Sequence, residues 1–138
     1  MTPVALPVGT RVVVGAFTAS GVTHMVAPQV FEPLIPRSLG SPRAWVYASG
    51  AAELVCAAGL VTRQRWAPAA TVGVLAGIWV GNWSMALAWQ RSERRPAWQK
   101  AAVWGRLPAQ LPLMWWAWTS PTGGGIRRGP GAARKLSP

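Results

Sequence analysis

The feature that most constrains this chain is the apolar stretch 44–62, which contains a single charged residue, Glu53, near its middle. At about 1.5 Å per residue, a helix of this length measures about 28 Å, close to the thickness of a bilayer's hydrocarbon core. An ionisable group at that depth costs about 3 kcal/mol even on the mildest scale. We therefore expect Glu53 to face a polar partner inside a helix bundle rather than lipid.

Three further apolar runs accompany this stretch, at residues 6–26, 66–90 and 101–119, and the basic residues lie mainly between and after the four runs. A soluble core does not require that clustering, whereas membrane helices do. The sequence therefore predicts an all-α protein, an integral membrane four-helix bundle over residues 1–120. Residues 121–138, rich in glycine, proline and arginine, are predicted to be a flexible basic tail.

The segment 27–43 between the first two runs carries Pro28, Pro33, Pro36 and Pro42. Proline lacks a backbone N–H and clashes with the preceding helical turn, so this density excludes a long helix. We predict a structured, proline-rich loop between the first and second helices.

The net charge of +11 raises the question of nucleic acid, but the sequence has no recognition helix, zinc spacing or ribonucleoprotein motif. Attraction to anionic lipid headgroups explains the charge more simply, so we predict a bilayer partner and no nucleic acid. The single cysteine, Cys56, excludes an internal disulfide. One histidine, one thiol and one membrane carboxylate do not make a normal metal-ligand set, so no metal is predicted.

Polar residues of all four predicted helices fall in one leaflet, because helix ends joined by a loop share one side of the membrane. Measured from the side of the first and third loops, they lie about 9–15 Å deep, apart from the histidine, which is near the surface. They are His24, Glu53, Asn82, Arg106 and Gln110. Arg106 is the one basic residue at comparable depth, so we predict a Glu53–Arg106 ion pair.

Two interpretations of this polar cluster are open. It is either structural, fixing four helices in one register, or a small pocket for a lipid or quinone headgroup, with proton handling as a lesser alternative. We assign no residue a catalytic role. A separate pattern, Gly73, Gly77 and Gly81 at four-residue spacing in the third helix, predicts a face packed closely against another helix.

Several short segments, in this order and spacing, resemble the DoxX-like family of small four-helix membrane proteins. The segments are residues 20–24 (SGVTH) with Pro28 and Phe31, residues 49–53 (SGAAE), Asn82 with Met85, and residues 106–110 (RLPAQ). The resemblance implies a four-helix bundle and, for some members, association with oxidoreductase complexes or with thiosulfate and quinone chemistry. The chain departs from the thiol-redox relatives in lacking paired cysteines.

Three functions follow as hypotheses. The first is a non-enzymatic accessory or assembly subunit that binds another membrane protein or a second copy of itself. The second is a membrane component of a quinone-linked oxidoreductase system, and the third is a small proton-coupled transporter. We predict a bacterial-type cell membrane with both termini cytoplasmic. The side that carries the termini has seven basic residues and the other side has six, so the positive-inside rule barely distinguishes the two orientations.

Overall fold

Four long α-helices make up most of residues 5–123, the part of the chain that the computed structural model describes. They are α1 (Val8–Val26), α2 (Pro42–Val61), α3 (Ala67–Gln90) and α4 (Ala97–Trp118). No strand occurs among these described residues, so the predicted all-α class is confirmed. By length and composition, α2 and α3 are apolar enough to cross a membrane.

The helix bounds lie close to the apolar runs, and the largest difference is at the start of α4. This helix begins at Ala97, before the predicted residue 101, because Pro96 is extended (φ −66°, ψ 154°) and directly precedes the first turn. The polar residues Gln99 and Lys100 are accommodated in that turn, since a first turn needs no apolar side chain. The predicted basic tail from residue 124 onward lies outside the described residues.

Three short 3-10 turns, Pro28–Val30, Glu32–Leu34 and Arg37–Leu39, form the connection between α1 and α2. Two side chains of α2 hold this connection in place. Arg43 Nε donates to Glu32 Oε1 at 2.6 Å, and the Trp45 indole donates to the Leu39 carbonyl at 2.8 Å. The structured, proline-rich loop expected here is therefore present.

The helices form a ring in the order α1, α2, α3, α4, in which each packs most closely on its neighbours. The Thr10 and Ser120 hydroxyls lie 2.9 Å apart, so the start of α1 and the end of α4 share one end of the ring. Gly123 N donates to the carbonyl of Arg63 at 2.7 Å, which places the α2–α3 turn at the same end.

We call this the closed end, because a buried apolar cluster joins all four helices there. Its members are Val13, Phe17, Cys56, Ala57, Leu60, Ala67, Leu75 and Ala117. At the opposite end, the buried cluster of Ala86, Val103 and Leu107 involves α3 and α4 alone. The α1–α2 and α3–α4 pairs are thus held together at the closed end and separated by a space at the other, which we call the open end.

The predicted packing face of Gly73, Gly77 and Gly81 meets no other helix within residues 5–123. All three glycines are exposed, and a Cβ added at any of them would meet nothing within 4 Å. The close helix contact lies instead between α1 and α2, where a Cβ on Gly50 would come within 2.5 Å of the Cβ of His24. Four-residue spacing is typical of packing faces, but it does not indicate which helix, if any, lies against them.

Candidate functional site

A cavity of about 820 Å³ occupies the space between the two helix pairs at the open end. Its walls come from all four helices and from the α1–α2 connection, and they are mostly apolar. The polar and charged side chains along it are Ser20, His24, Ser49, Glu53, Asn82, Arg106 and Gln110. The five residues predicted to share one leaflet are therefore all on this cavity. Small-molecule sites are typically of this kind, at between about 300 and 1,000 Å³ with a few polar groups.

Glu53 is the most deeply buried charged residue on the cavity, with 2% of its surface exposed. Its Oε2 atom is buried and accepts no hydrogen bond from any described residue. The nearest basic atom is His24 Nδ1, at 4.0 Å, which is too far for a hydrogen bond. A buried acceptor without a donor is costly in an isolated protein, so this atom points to a missing partner.

His24 does not supply that hydrogen bond because its Nδ1 proton is directed elsewhere. Nδ1 lies 2.7 Å from the backbone oxygen of Ser20, and a carbonyl only accepts, so Nδ1 donates there. The imidazole also stacks on the Phe31 ring, with centroids 3.9 Å apart and planes 10° from parallel. These two contacts hold the ring beside Glu53 while leaving its Oε2 atom without a hydrogen-bond donor.

The close approach of α1 and α2 places these two side chains together. Gly21 and Gly50 lie one helical turn before His24 and Glu53 respectively, and so share their faces. A Cβ on Gly21 would lie 2.9 Å from the Gly50 carbonyl oxygen. Only glycine at both positions lets the backbones approach this closely, which brings histidine and carboxylate within 4.0 Å.

Gln110 and Asn82 differ from Glu53, because their side chains form hydrogen bonds within the protein. Gln110 is 4% exposed, and its Oε1 accepts a hydrogen bond of 3.1 Å from Asn82 Nδ2. Its Nε2 donates to the backbone oxygen of Leu75. These bonds connect α3 to α4, which is the structural role that sequence reasoning proposed for the whole cluster.

The predicted Glu53–Arg106 ion pair is wrong. Arg106 lines the cavity but is exposed, and it forms no ion pair or hydrogen bond with the described residues. The reason is geometric: α2 and α4 are diagonal in the ring, so the cavity separates them. Depth along a helix was predicted from the sequence, but the direction in which each side chain points was not.

Among the cavity residues that were not predicted as site residues, three lie beside His24 or one helical turn before Glu53. Phe31 stacks on His24, the Ser20 carbonyl accepts its proton, and the Ser49 hydroxyl donates to the Val46 carbonyl at 3.0 Å. The signal available in the sequence is spacing, since Ser20 precedes His24, and Ser49 precedes Glu53, by one helical turn.

One recognised domain covers the four helices that build this cavity, apart from the first five residues of α1. The model of a family described as a domain of unknown function, DUF8561, matches residues 13–120. The chain belongs to the DUF8561 family. All five predicted polar residues lie inside the matched range, so the cavity is part of the DUF8561 domain.

No curated protein and no solved structure matches the chain. The DUF8561 match carries no activity with it, and it speaks neither for nor against the DoxX-like resemblance, which stays a prediction. Among residues 5–123, no three His, Cys, Asp or Glu side chains are grouped so that they could hold a metal ion. The geometry of the cavity is therefore the basis for any functional assignment.

Proposed function

We propose that this DUF8561 protein is an integral membrane protein of four spanning helices that binds the polar head of an amphiphilic molecule in the open-end cavity. The bound molecule is held rather than transformed, so the protein acts as a non-enzymatic component of a membrane system. The observation that carries this proposal is the buried Glu53 Oε2 atom without a hydrogen-bond donor, on a largely apolar cavity of about 820 Å³.

The outward surface of the helices supports the membrane location. In α3, 17% of the most apolar 18-residue stretch is buried inside the protein, whereas the core helix of a soluble protein is mostly buried. Each helix also presents large apolar side chains outward, for example Val12, Val55, Val80 and Leu111, which are 43%, 57%, 64% and 55% exposed. Such a surface is stable in lipid and promotes aggregation in water.

The chemistry of the cavity selects among amphiphiles. Glu53 Oε2 needs a donor, so the bound head must carry an N–H or O–H group. A lipid headgroup or a quinol meets this requirement. An oxidised quinone offers acceptors alone, so it suits a protonated Glu53, which donates its O–H, and a quinol suits the ionised carboxylate.

The test is to purify the protein in a mild detergent and identify retained amphiphiles by extraction and mass spectrometry. We expect the wild type to retain one amphiphile class and Glu53→Gln to lose it, because an amide in place of the carboxylate weakens a charge-assisted hydrogen bond. Glu93→Gln is the matched control, since Glu93 is exposed in the α3–α4 turn. A folded Glu53→Gln variant that retains the same amphiphile in the same amount would contradict the proposal.

Membrane insertion has its own test, which uses single cysteines in a Cys56→Ala background and a thiol reagent that does not cross membranes. Gln29 and Arg94 lie in connections at the open end, and Gln64 lies in the α2–α3 turn at the closed end. We expect Gln29→Cys and Arg94→Cys to be labelled from one side and Gln64→Cys from the other. Labelling of all three from one side of sealed vesicles would exclude four spans.

An accessory-subunit role is compatible with this binding function and has a specific surface in its favour. Gly73 and Gly81 are exposed, with open space where a Cβ would be, so another membrane helix would find room to pack there. If α3 docks onto a partner subunit or a second copy, Gly73→Leu should reduce co-purification of that partner. Gly15→Leu, at an equally open site on α1, is the control.

A further inference from the structure

Two opposite charges line the same cavity without pairing with each other. Glu53 lies on α2 and Arg106 on α4, on diagonal helices of the ring. Glu53 is eleven residues from the start of its helix and Arg106 nine residues from the start of its own, so both lie about 14–16 Å from the open end. Glu53 and Arg106 therefore line one space from opposite walls at similar depth.

We infer that the bound molecule has a zwitterionic head, with an ammonium group that donates to Glu53 and a phosphate that accepts from Arg106. This inference rests on the proposed function, since it names the class of amphiphile that the same cavity takes. The ammonium supplies the donor that Oε2 lacks. The phosphate supplies an anion to a guanidinium that forms no ion pair with residues 5–123.

The other polar groups on the cavity do not remove this requirement. The Ser20 side chain interacts with the Glu53 carboxyl but leaves Oε2 without a donor. His24 directs its Nδ1 proton to the Ser20 carbonyl. Helix α3 contributes no charged residue to the cavity, and its Asn82 already donates to Gln110. A head with a negative charge alone would be repelled by the buried carboxylate. A head with a positive charge alone would leave Arg106 without an anion, so a zwitterion is the one charge pattern that suits both walls.

The apolar part of the cavity favours a lipid as the source of this head. Phe31, Leu34 and Ile35 of the α1–α2 connection line it, as does Ile78 of α3. The exposed glycines of α3 on this cavity have no side chains to close the surface, so acyl chains have a route outward between the helices. A membrane aminophospholipid combines the ammonium, the phosphodiester and the acyl chains in one molecule.

The test compares diacyl lipids with identical chains by native mass spectrometry of the full-length, delipidated protein. Phosphatidylethanolamine carries both charges, phosphatidylglycerol the phosphodiester alone, and diacylglycerol neither. We expect the wild type to bind phosphatidylethanolamine about tenfold or more tightly than either of the others. Glu53→Gln should lower its affinity to that of phosphatidylglycerol, and Arg106→Gln should weaken both phospholipids. Arg94→Gln, at an exposed site off the cavity, should change nothing.

Each outcome has a distinct meaning. Equal binding of all three lipids by the wild type would overturn the zwitterionic head and leave the proposed function intact, and this comparison needs no variant to fold. Binding of no amphiphile would overturn both. Soluble glycerophosphoethanolamine is a further probe: if it competes at the concentration of the lipid, the head alone is recognised, and if it does not, the acyl chains are needed. Once the preference for phosphatidylethanolamine has established the zwitterionic head, these two results distinguish a soluble molecule from a whole lipid as its source.

Discussion

Gly21 and Gly50 contact each other through their backbones where α1 crosses α2. A Cβ on Gly21 would lie 2.9 Å from the Gly50 carbonyl oxygen, and a Cβ on Gly50 would lie 3.2 Å from the Gly21 carbonyl oxygen. His24 and Glu53 follow these glycines by one turn, so the crossing point determines how closely the imidazole and the carboxylate approach. The packing of one helix pair and the electrostatics of the cavity therefore have the same cause.

Gly50→Ala is expected to destabilise the protein. Its methyl group would lie 2.5 Å from the His24 Cβ, so the helices must move apart, at a cost of about 1–3 kcal/mol. Thermal unfolding in detergent measures this loss. Gly73→Ala, on the open face of α3, is the control and should leave the midpoint unchanged or slightly higher. Equal midpoints for the two variants would show that the α1–α2 crossing is looser than described.

Unlike Gly50→Ala, Gly77→Leu is expected to lose amphiphile binding and to keep its thermal stability. Gly77 lines the cavity, and a Cβ there meets nothing within 4 Å, so leucine would extend into space that the ligand needs. We expect retained amphiphile to fall at least about tenfold, with no decrease in the unfolding midpoint. Gly73→Leu, one turn away and off the cavity, should retain the amphiphile. Full retention by Gly77→Leu would place the ligand elsewhere.

A pair of double-mutant cycles separates the contact that was predicted from the one that is present. In delipidated protein, His24→Gln and Glu53→Gln should be coupled by about 0.5–3 kcal/mol, because the side chains are neighbours. Glu53→Gln and Arg106→Gln should be additive within about 0.5 kcal/mol, because the cavity lies between them. Unfolding in detergent measures both. Strong coupling of Glu53 to Arg106 without ligand would contradict this geometry.

The helices and the polar cluster were predictable because both depend on position along the chain. Apolar length predicts where helices lie, and loop connections place His24, Glu53 and Arg106 at one end. That His24 rather than Arg106 lies beside Glu53 was not predictable in this way, because depth does not specify direction around the helix axis. The glycines show the same limit: Gly77 belongs to a regular repeat and is unpacked, whereas Gly50, outside that repeat, lies at a close crossing of two helices.

Gln110→Ala is expected to separate the structural part of the polar cluster from its binding part. The variant removes the bonds to Asn82 and to the Leu75 carbonyl at a buried position, so the α3–α4 pair should lose about 1–3 kcal/mol of stability. Gln99→Ala, also on α4, removes an exposed bond from Arg95 of the α3–α4 connection and is the matched control with a smaller effect. Unfolding midpoints measure stability, and retained amphiphile at a temperature where both variants are folded measures binding. Because the proposed ligand satisfies Glu53 whereas the protein satisfies Gln110, Gln110→Ala should retain the amphiphile that Glu53→Gln loses. Loss of the amphiphile from folded Gln110→Ala would mean that its amide also contacts the head, and the division into a structural and a binding half would be wrong.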